Sequence, residues 1–316
     1  MLYVRRTDSE LKIAPDDEFC NLITDPANLL WLDLEGDEAL LRQQMEALQL
    51  LHPLSIARIF TRQPRAFLDE FDDYLHILLQ EIGYGPENGI TLGVCHFILS
   101  AKYLITIHQG PLEAINTFKN NNLPARFFNQ GTDILFYHLT EPFISSCFSV
   151  LDDIADLTED VEDRIFPKPD PKVLNKLFDL KKDLIVLRKS IAPMREVFSM
   201  LSRRENPFVD VEALPFMSHL YDQLIRLYEI CDTQREMVSG ALEIYLSTIS
   251  NRTNEIMRIL TIVSTLILPT TLIVGFYGMN VTIPGTDWKY AYLYVSAFII
   301  GTALVMLWYF KKKGWF

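Results

Sequence analysis

Two uncharged stretches near the C-terminus constrain this chain more than any other feature. Ile259 to Thr286 contains no Asp, Glu, Lys, Arg or His, and Tyr290 to Phe310 is uncharged for 21 residues. A helix needs roughly 20 apolar residues, at about 1.5 Å each, to cross a hydrocarbon core of about 30 Å. One such stretch could be a buried core helix. Two in succession, ending at Lys311-Lys312-Lys313, predict a membrane hairpin with spans at about 259–279 and 290–310. Arg252 and Arg258 precede the first span and the lysine triplet follows the second. The positive-inside tendency therefore puts the N- and C-termini in the cytoplasm and leaves a short outer loop.

Charge divides at the same place. Residues 251–316 carry six Lys/Arg against Glu255 and Asp287, which leaves 23 basic and 39 acidic residues in 1–250, a formal charge of −16. So acidic a body is a poor binder of nucleic acid or anionic lipid and attracts cations. Cys20, Cys95, Cys147 and Cys231 form no CxxC pair, which fits a reducing cytosol better than a disulfide framework or thiolate zinc site. Met1-Leu2-Tyr3-Val4-Arg5-Arg6 runs into polar sequence and shows no cleavable signal.

The body predicts an α+β chain in three parts: 1–130 a cytoplasmic α/β domain, 131–250 a helical hairpin and stalk helix, and 251–316 the membrane domain. Leu29–Leu34, Tyr74–Ile82, Ile90–Ser100 and Lys102–Ile107 read as strands, with a helix from about Asp37 to Leu50. Gly83, Gly85, Pro86, Asn88 and Gly89 punctuate a hairpin-like connection. After Gly131 the pattern is helical: Thr132–Phe166, then Pro171–Ser202 folded back on it, then a run from about Val211 with no stop before the end of the first span. Continuous, that run makes a very long rod, which needs neighbours such as copies of itself.

The first span carries an internal pattern. Positions spaced alternately three and four apart are Asn254, Met257, Thr261, Ser264, Leu268, Thr271 and Gly275, a neutral and largely polar seam in an otherwise aliphatic stretch. Such spacing is the line along which parallel helices meet around an axis. Small and hydroxyl residues also serve dry helix packing in membranes, and the stripe by itself allows either reading. Asn254 favours a wet axis. Neutral oxygen donors suit a hydrated cation, since Mg2+ gives up water reluctantly, and Met257 and Leu268 would form apolar constrictions.

At this point the sequence resembles the CorA family of magnesium and divalent cation channels. The carrying residues are Gly278-Met279-Asn280, preceded by Tyr277 and placed directly after the first of two C-terminal spans. Ser250–Met257, Val238-Ser239-Gly240, Leu187–Glu196, Trp31-Leu32-Asp33-Leu34 and Leu51-His52-Pro53-Leu54 extend the likeness. The resemblance implies a funnel-shaped homopentamer in the cell (inner) membrane, lined by five copies of the long helix. It implies Mg2+ influx down the electrochemical gradient, with Co2+ or Ni2+ also carried. Gly278, Met279 and Asn280 would then form the outer filter, with the Asn280 carbonyl accepting hydrogen bonds from the waters of the ion. Asn254, Met257, Thr261, Leu268 and Thr271 correspond to family pore positions. Two departures stand out. Val281–Asp287 replaces the Met-Pro-Glu-Leu that many members carry after the tripeptide. Ser145, Ser146 and His219 fall where some members have aspartates that bind regulatory magnesium between subunits.

Other candidates are plainer. Asp152, Asp156, Glu159 and Asp163 share one helical face, either a solvated surface or a loose cation-collecting one, and His219 is a possible interface ligand. The remaining histidines form no HxxxH or HExxH pair and read as structural. No nucleophile elbow, phosphate-binding glycine loop or zinc-hydrolase motif is present, so the expectation is no enzyme, no nucleotide, no nucleic acid and no resident cofactor. The rival readings are a zinc transporter of the same architecture and a non-conducting membrane scaffold or metal sensor. Zinc favours nitrogen and sulfur ligands, yet residues 251–316 contain no Cys or His.

Overall fold

Short apolar runs in the first third of the chain form a sheet because neighbouring strands supply the hydrogen bonds that each run lacks alone. The computed structural model describes residues 1–6, 12–14, 18–25, 28–61, 65–85, 89–120, 130–165, 170–203, 207–279 and 289–315. Within them the order is β1 (Leu2–Arg6), β2 (Lys12–Ala14), α1 (Phe19–Leu22), β3 (Asn28–Glu35), α2 (Glu38–Leu48), α3 (Pro53–Ile59), β4 (Phe67–Glu70), β5 (Leu75–Gly85), β6 (Gly89–Leu99), β7 (Tyr103–His108) and α4 (Glu113–Asn120). The helices α5 (Thr132–Ile165), α6 (Pro171–Leu201), α7 (Leu214–Tyr277) and α8 (Ala291–Lys312) follow. The strands form one sheet in the order β2-β1-β3-β7-β6-β5-β4. Only β3 and β7 are parallel among these neighbours, in the register Trp31 to Leu104 and Glu35 to His108.

Strand alternation sends successive side chains to opposite faces. Leu30, Leu32 and Leu34 of β3 join Ile105 and Ile107 of β7 on one face, under Leu41, Met45 and Leu48 of α2. The other face receives helices. Phe118 of α4 meets Trp31 edge-on, and Phe97 of β6 meets Phe136 and Phe143 of α5 at 5.2 and 5.8 Å. Helix α2 starts where Asp37 accepts the Leu40 N–H (2.8 Å), and α6 starts where Asp170 accepts that of Lys172 (2.9 Å).

The helical hairpin is antiparallel: Phe136, near the start of α5, stacks on Phe198, near the end of α6, at 6.2 Å. Helix α6 also joins α7, through the ion pair Arg188–Asp232 (2.9 Å) and the Cys231 thiol donating to the Leu184 carbonyl (3.5 Å). The chain divides into two compact units, Met1–Arg164 with Asp170–Leu242, and Ile165–Pro169 with Glu243–Phe316.

Hydropathy and length alone mark three helices able to cross a membrane: α5, α7 and α8. Burial separates them. The most apolar window of α5 is 61% buried inside the chain, against 6% for those of α7 and α8. Helix α5 is thus a core helix, and the exposed apolar surface of the other two needs lipid or a further copy of the chain. Helix α7 runs unbroken for 64 residues, with Pro215 in its first turn and Pro269 inside it.

Candidate functional site

The seam lies in the C-terminal part of α7. From Asn251 to Thr261 every residue is exposed, so Asn254, Met257 and Thr261 stand open along with their neighbours. Beyond that point one stripe is covered: Ile262 is buried, and Leu266, Pro269 and Ile273 are half-buried. At about 100° per residue the seam is turned by about 140° from that stripe. Leu268, Thr271 and Gly275 are exposed and Ser264 is half-buried, with Leu268 at 69%. The span therefore has a covered side and, nearly opposite, an uncovered polar side.

The threonines show what that side offers. The Thr261 hydroxyl donates to the Met257 carbonyl (2.7 Å), and the Thr271 hydroxyl to that of Ile267 (2.9 Å). Each hydroxyl hydrogen is spent on its own helix, so the oxygen faces outward as an acceptor. A hydrated cation presents hydrogens, because its waters turn their oxygens to the metal. An acceptor seam matches that shell. Gly275 has open space where a Cβ would stand, so its own chain does not require glycine there.

Helix α7 ends at the tripeptide. The Gly278 N–H donates to the Val274 carbonyl (2.9 Å) and the Met279 N–H to that of Phe276 (3.4 Å). A Cβ on Gly278 would stand 3.0 Å from the Val274 oxygen, a backbone atom with little freedom to yield. A side chain would therefore fit tightly where the last turn closes, and glycine removes that contact. Met279 is 50% exposed. Asn280 and the run Val281–Asp287 lie outside the described residues.

The candidates outside the first span do not converge. Asp152, Asp156, Glu159 and Asp163 are all exposed along α5. His219 is exposed on α7, where Nδ1 lies 3.3 Å from the Tyr137 hydroxyl and Nε2 lies 3.2 Å from Gln223 Nε2. Tyr137 precedes Asp152 on α5 by about 22 Å of helix, so His219 and the acidic stripe are separate features. Ser145 is exposed, and the Ser146 hydroxyl donates to the Phe143 carbonyl (2.9 Å).

Two buried polar clusters escaped the sequence reading. Asp33 is 3% exposed and accepts from Thr106, from the Lys119 ammonium and, at 3.2 Å, from His108 Nε2. Burial alone would raise its carboxyl, but His108, Lys119 and Thr106 hold it down at about 2. Burial pulls His108 down, and Asp33 more than reverses that, leaving it above its usual value. Glu35 reaches the same place with an oxygen within 4.8 Å of the Asp33 and His108 ligand atoms. The Lys119 ammonium already occupies the Asp33 carboxylate, so the cluster is a buried ion pair that ties β3, β7 and α4 together. On the opposite face His76 Nε2 and His96 Nδ1 are 3.0 Å apart, and the Ser55 hydroxyl reaches His76 at 2.7 Å. Burial pushes these imidazoles down to about 2 and about 3.

Known proteins decide the family. The profile described as CorA-like Mg2+ transporter protein matches residues 26–312. The chain belongs to that family. It is 32% identical over 272 residues to the cobalt/magnesium transport protein CorA of Thermotoga maritima, covering 84% of this chain and 77% of that one. It is 28% identical over 168 residues to the zinc transport protein ZntB of Yersinia pseudotuberculosis, covering 52% and 49%. The solved CorA magnesium transporter of Methanocaldococcus jannaschii shares the fold, with a TM-score of 0.86 at 22% identity over 100% of this chain and 99% of that one. The chain is therefore a membrane transporter of divalent cations and not an enzyme, with candidate spans in its C-terminal region.

Proposed function

We propose that the chain conducts hydrated Mg2+ through a homopentameric pore lined by the α7 seam. Acceptor oxygens on a neutral, uncovered face carry this reading: Thr261 and Thr271 spend their hydrogens on their own helix and can receive those of ion-bound water. Neutral acceptors hold the outer shell without trapping the ion, whereas carboxylates would bind it harder. Met257 and Leu268 act as apolar constrictions that gate by dewetting. Five copies of α7 cover the apolar surface that one chain leaves open, and the open space at Gly275 gives the axis room. Gly278 closes the helix, and Asn280 supplies the outer carbonyl that receives the arriving hydrated ion.

The two ends of the chain lie in the cytoplasm of the cell (inner) membrane, on the side of Arg258 and the lysine triplet. A negative interior then drives Mg2+ influx at about 2.3 kcal/mol per charge per 100 mV. Co2+ and Ni2+ share the route. The zinc reading draws on the likeness to the Yersinia protein, and the absence of Cys and His from residues 251–316 weighs against it.

Purified protein in liposomes, loaded in parallel with Mg2+- and Zn2+-sensitive dyes, separates these readings. Mg2+ uptake should occur and should rise with an interior-negative potential. Zn2+ uptake without Mg2+ uptake would replace the ion, and uptake of neither would leave a scaffold or sensor.

A further inference from the structure

We infer that the C-terminal turn of α8 binds the phosphate of an anionic phospholipid through Lys311, Lys312 and Lys313, the last two held on an aromatic frame. The bland role for lysines at this position is to neutralise the last helix carbonyls. Backbone groups already perform it. Gly314 takes φ +71, its N–H donates to the Lys311 carbonyl (3.1 Å), and the Trp315 N–H donates to that of Phe310 (3.0 Å). The Lys313 N–H donates to Tyr309 (3.1 Å). This closing turn folds Trp315 back, so that its ring stacks on Phe310 at 5.3 Å with 17° between planes.

The ammonium groups are placed for something else. Lys312 Nζ lies 5.4 Å from the centre of the Trp308 ring, and Lys313 Nζ lies 5.6 Å from that of Tyr309. Each side chain therefore leans back about one turn towards the span. Long basic side chains at the end of a span ordinarily reach outward to water. Here cation–π contact holds two charges at the depth of exposed Trp and Tyr rings, the level of lipid headgroups. Trp308 is 63% exposed and Tyr309 50%.

Among the described residues no carboxylate pairs with these lysines, and residues 251–316 hold only Glu255 and Asp287 as acids. Arg258 precedes the end of α7 by as many residues as Phe310 follows the start of α8. Near it, α7 contributes Arg252 and Arg258 against Glu255. In a chain whose first 250 residues carry −16, this belt is where an anion is attracted. Each Lys/Arg near an anionic surface contributes about 1 kcal/mol, which for three is on the order of a hundredfold in affinity.

The test titrates the full-length protein in mild detergent with phosphatidylglycerol, and separately with phosphatidylcholine, following the thermal midpoint. The readout needs no transport, so it stands or falls apart from the proposed pore. Phosphatidylglycerol should raise the midpoint and phosphatidylcholine should not. Combined Lys311→Gln, Lys312→Gln and Lys313→Gln should move the half-effect concentration up by on the order of a hundredfold. The corresponding triple arginine variant should keep the response, which separates lost charge from lost folding. Trp315→Leu keeps the charge but should weaken the response several-fold. Equal effects of the two lipids, an unchanged response in the glutamine variant, or an unchanged response in Trp315→Leu would overturn the site. The same shift from millimolar inorganic phosphate would also overturn it, by giving the anion a soluble source.

Discussion

Asp33 and Thr261 are both polar residues on largely apolar elements, and the chain treats them in opposite ways. Asp33 is charged, buried and held by three partners from β7 and α4. Thr261 is neutral, exposed and, among the described residues, partnered only by its own helix. The first arrangement fixes strands and helix in one geometry, because breaking it would strand a charge in the interior. The second leaves an oxygen available to a passing shell of water. Polar atoms that hold the fold are saturated from within, and those proposed to serve transport are half-saturated and face outward.

The largest effect should follow from breaking the saturated cluster. Asp33→Asn leaves the Lys119 ammonium and His108 without their carboxylate, and should destabilise the first unit by about 3–5 kcal/mol. Amide exchange in β3 and β7 reads this directly, and unchanged protection would refute it. If the cluster is structural, any loss of flux in this variant should track the loss of folded protein.

Acid probes the second buried cluster. His76 and His96 titrate well below the ordinary 6.5 of histidine, at about 2 and about 3. The unfolded chain therefore binds protons that the folded one refuses. Stability from this pair is present above pH 6.5 and is lost as pH falls from 6.5 towards 3. Arg58 and the Phe67 ring flank His76, and Ser55 bonds it. Thermal midpoints should drop across that window, and His76→Gln with His96→Gln should flatten the dependence. His108 has the opposite sign: its raised pKa gives stability present below 6.5 and lost as pH rises through the folded value.

The seam should answer to finer changes. Thr261→Val and Thr271→Val keep shape but remove the outward acceptor, so they should lower Mg2+ flux several-fold while moving stability by less than about 0.5 kcal/mol. Thr270→Val is the matched control. Thr270 makes the same bond to its own helix, to Leu266 at 2.9 Å, but stands on another face. Equal loss of flux from Thr270→Val and Thr271→Val would remove the seam from the account.

Much of this was legible in the sequence. The strands β3, β5, β6 and β7 lie within a few residues of where the apolar runs put them, because each is long and flanked by turn residues. The short strands β1, β2 and β4 and the helices α1, α3 and α4 were missed. Four residues such as Phe67–Glu70 carry no readable period and become a strand only through the partner β5. The seam was visible because three-four spacing lies along one helix. The Asp33 cluster was not, since His108 lies 75 residues away and no local pattern joins them. Hydropathy does not distinguish α5 from a span; burial by the sheet and its neighbours does.

The measurement that bears most directly on the central claim is Mg2+ uptake by Asn280→Ala in liposomes, beside the native protein, with oligomer mass measured on the same preparations. Mg2+ flux should be abolished while the oligomer remains intact, because the outer acceptor for ion-bound water is gone. Undiminished flux through an intact Asn280→Ala oligomer would contradict it.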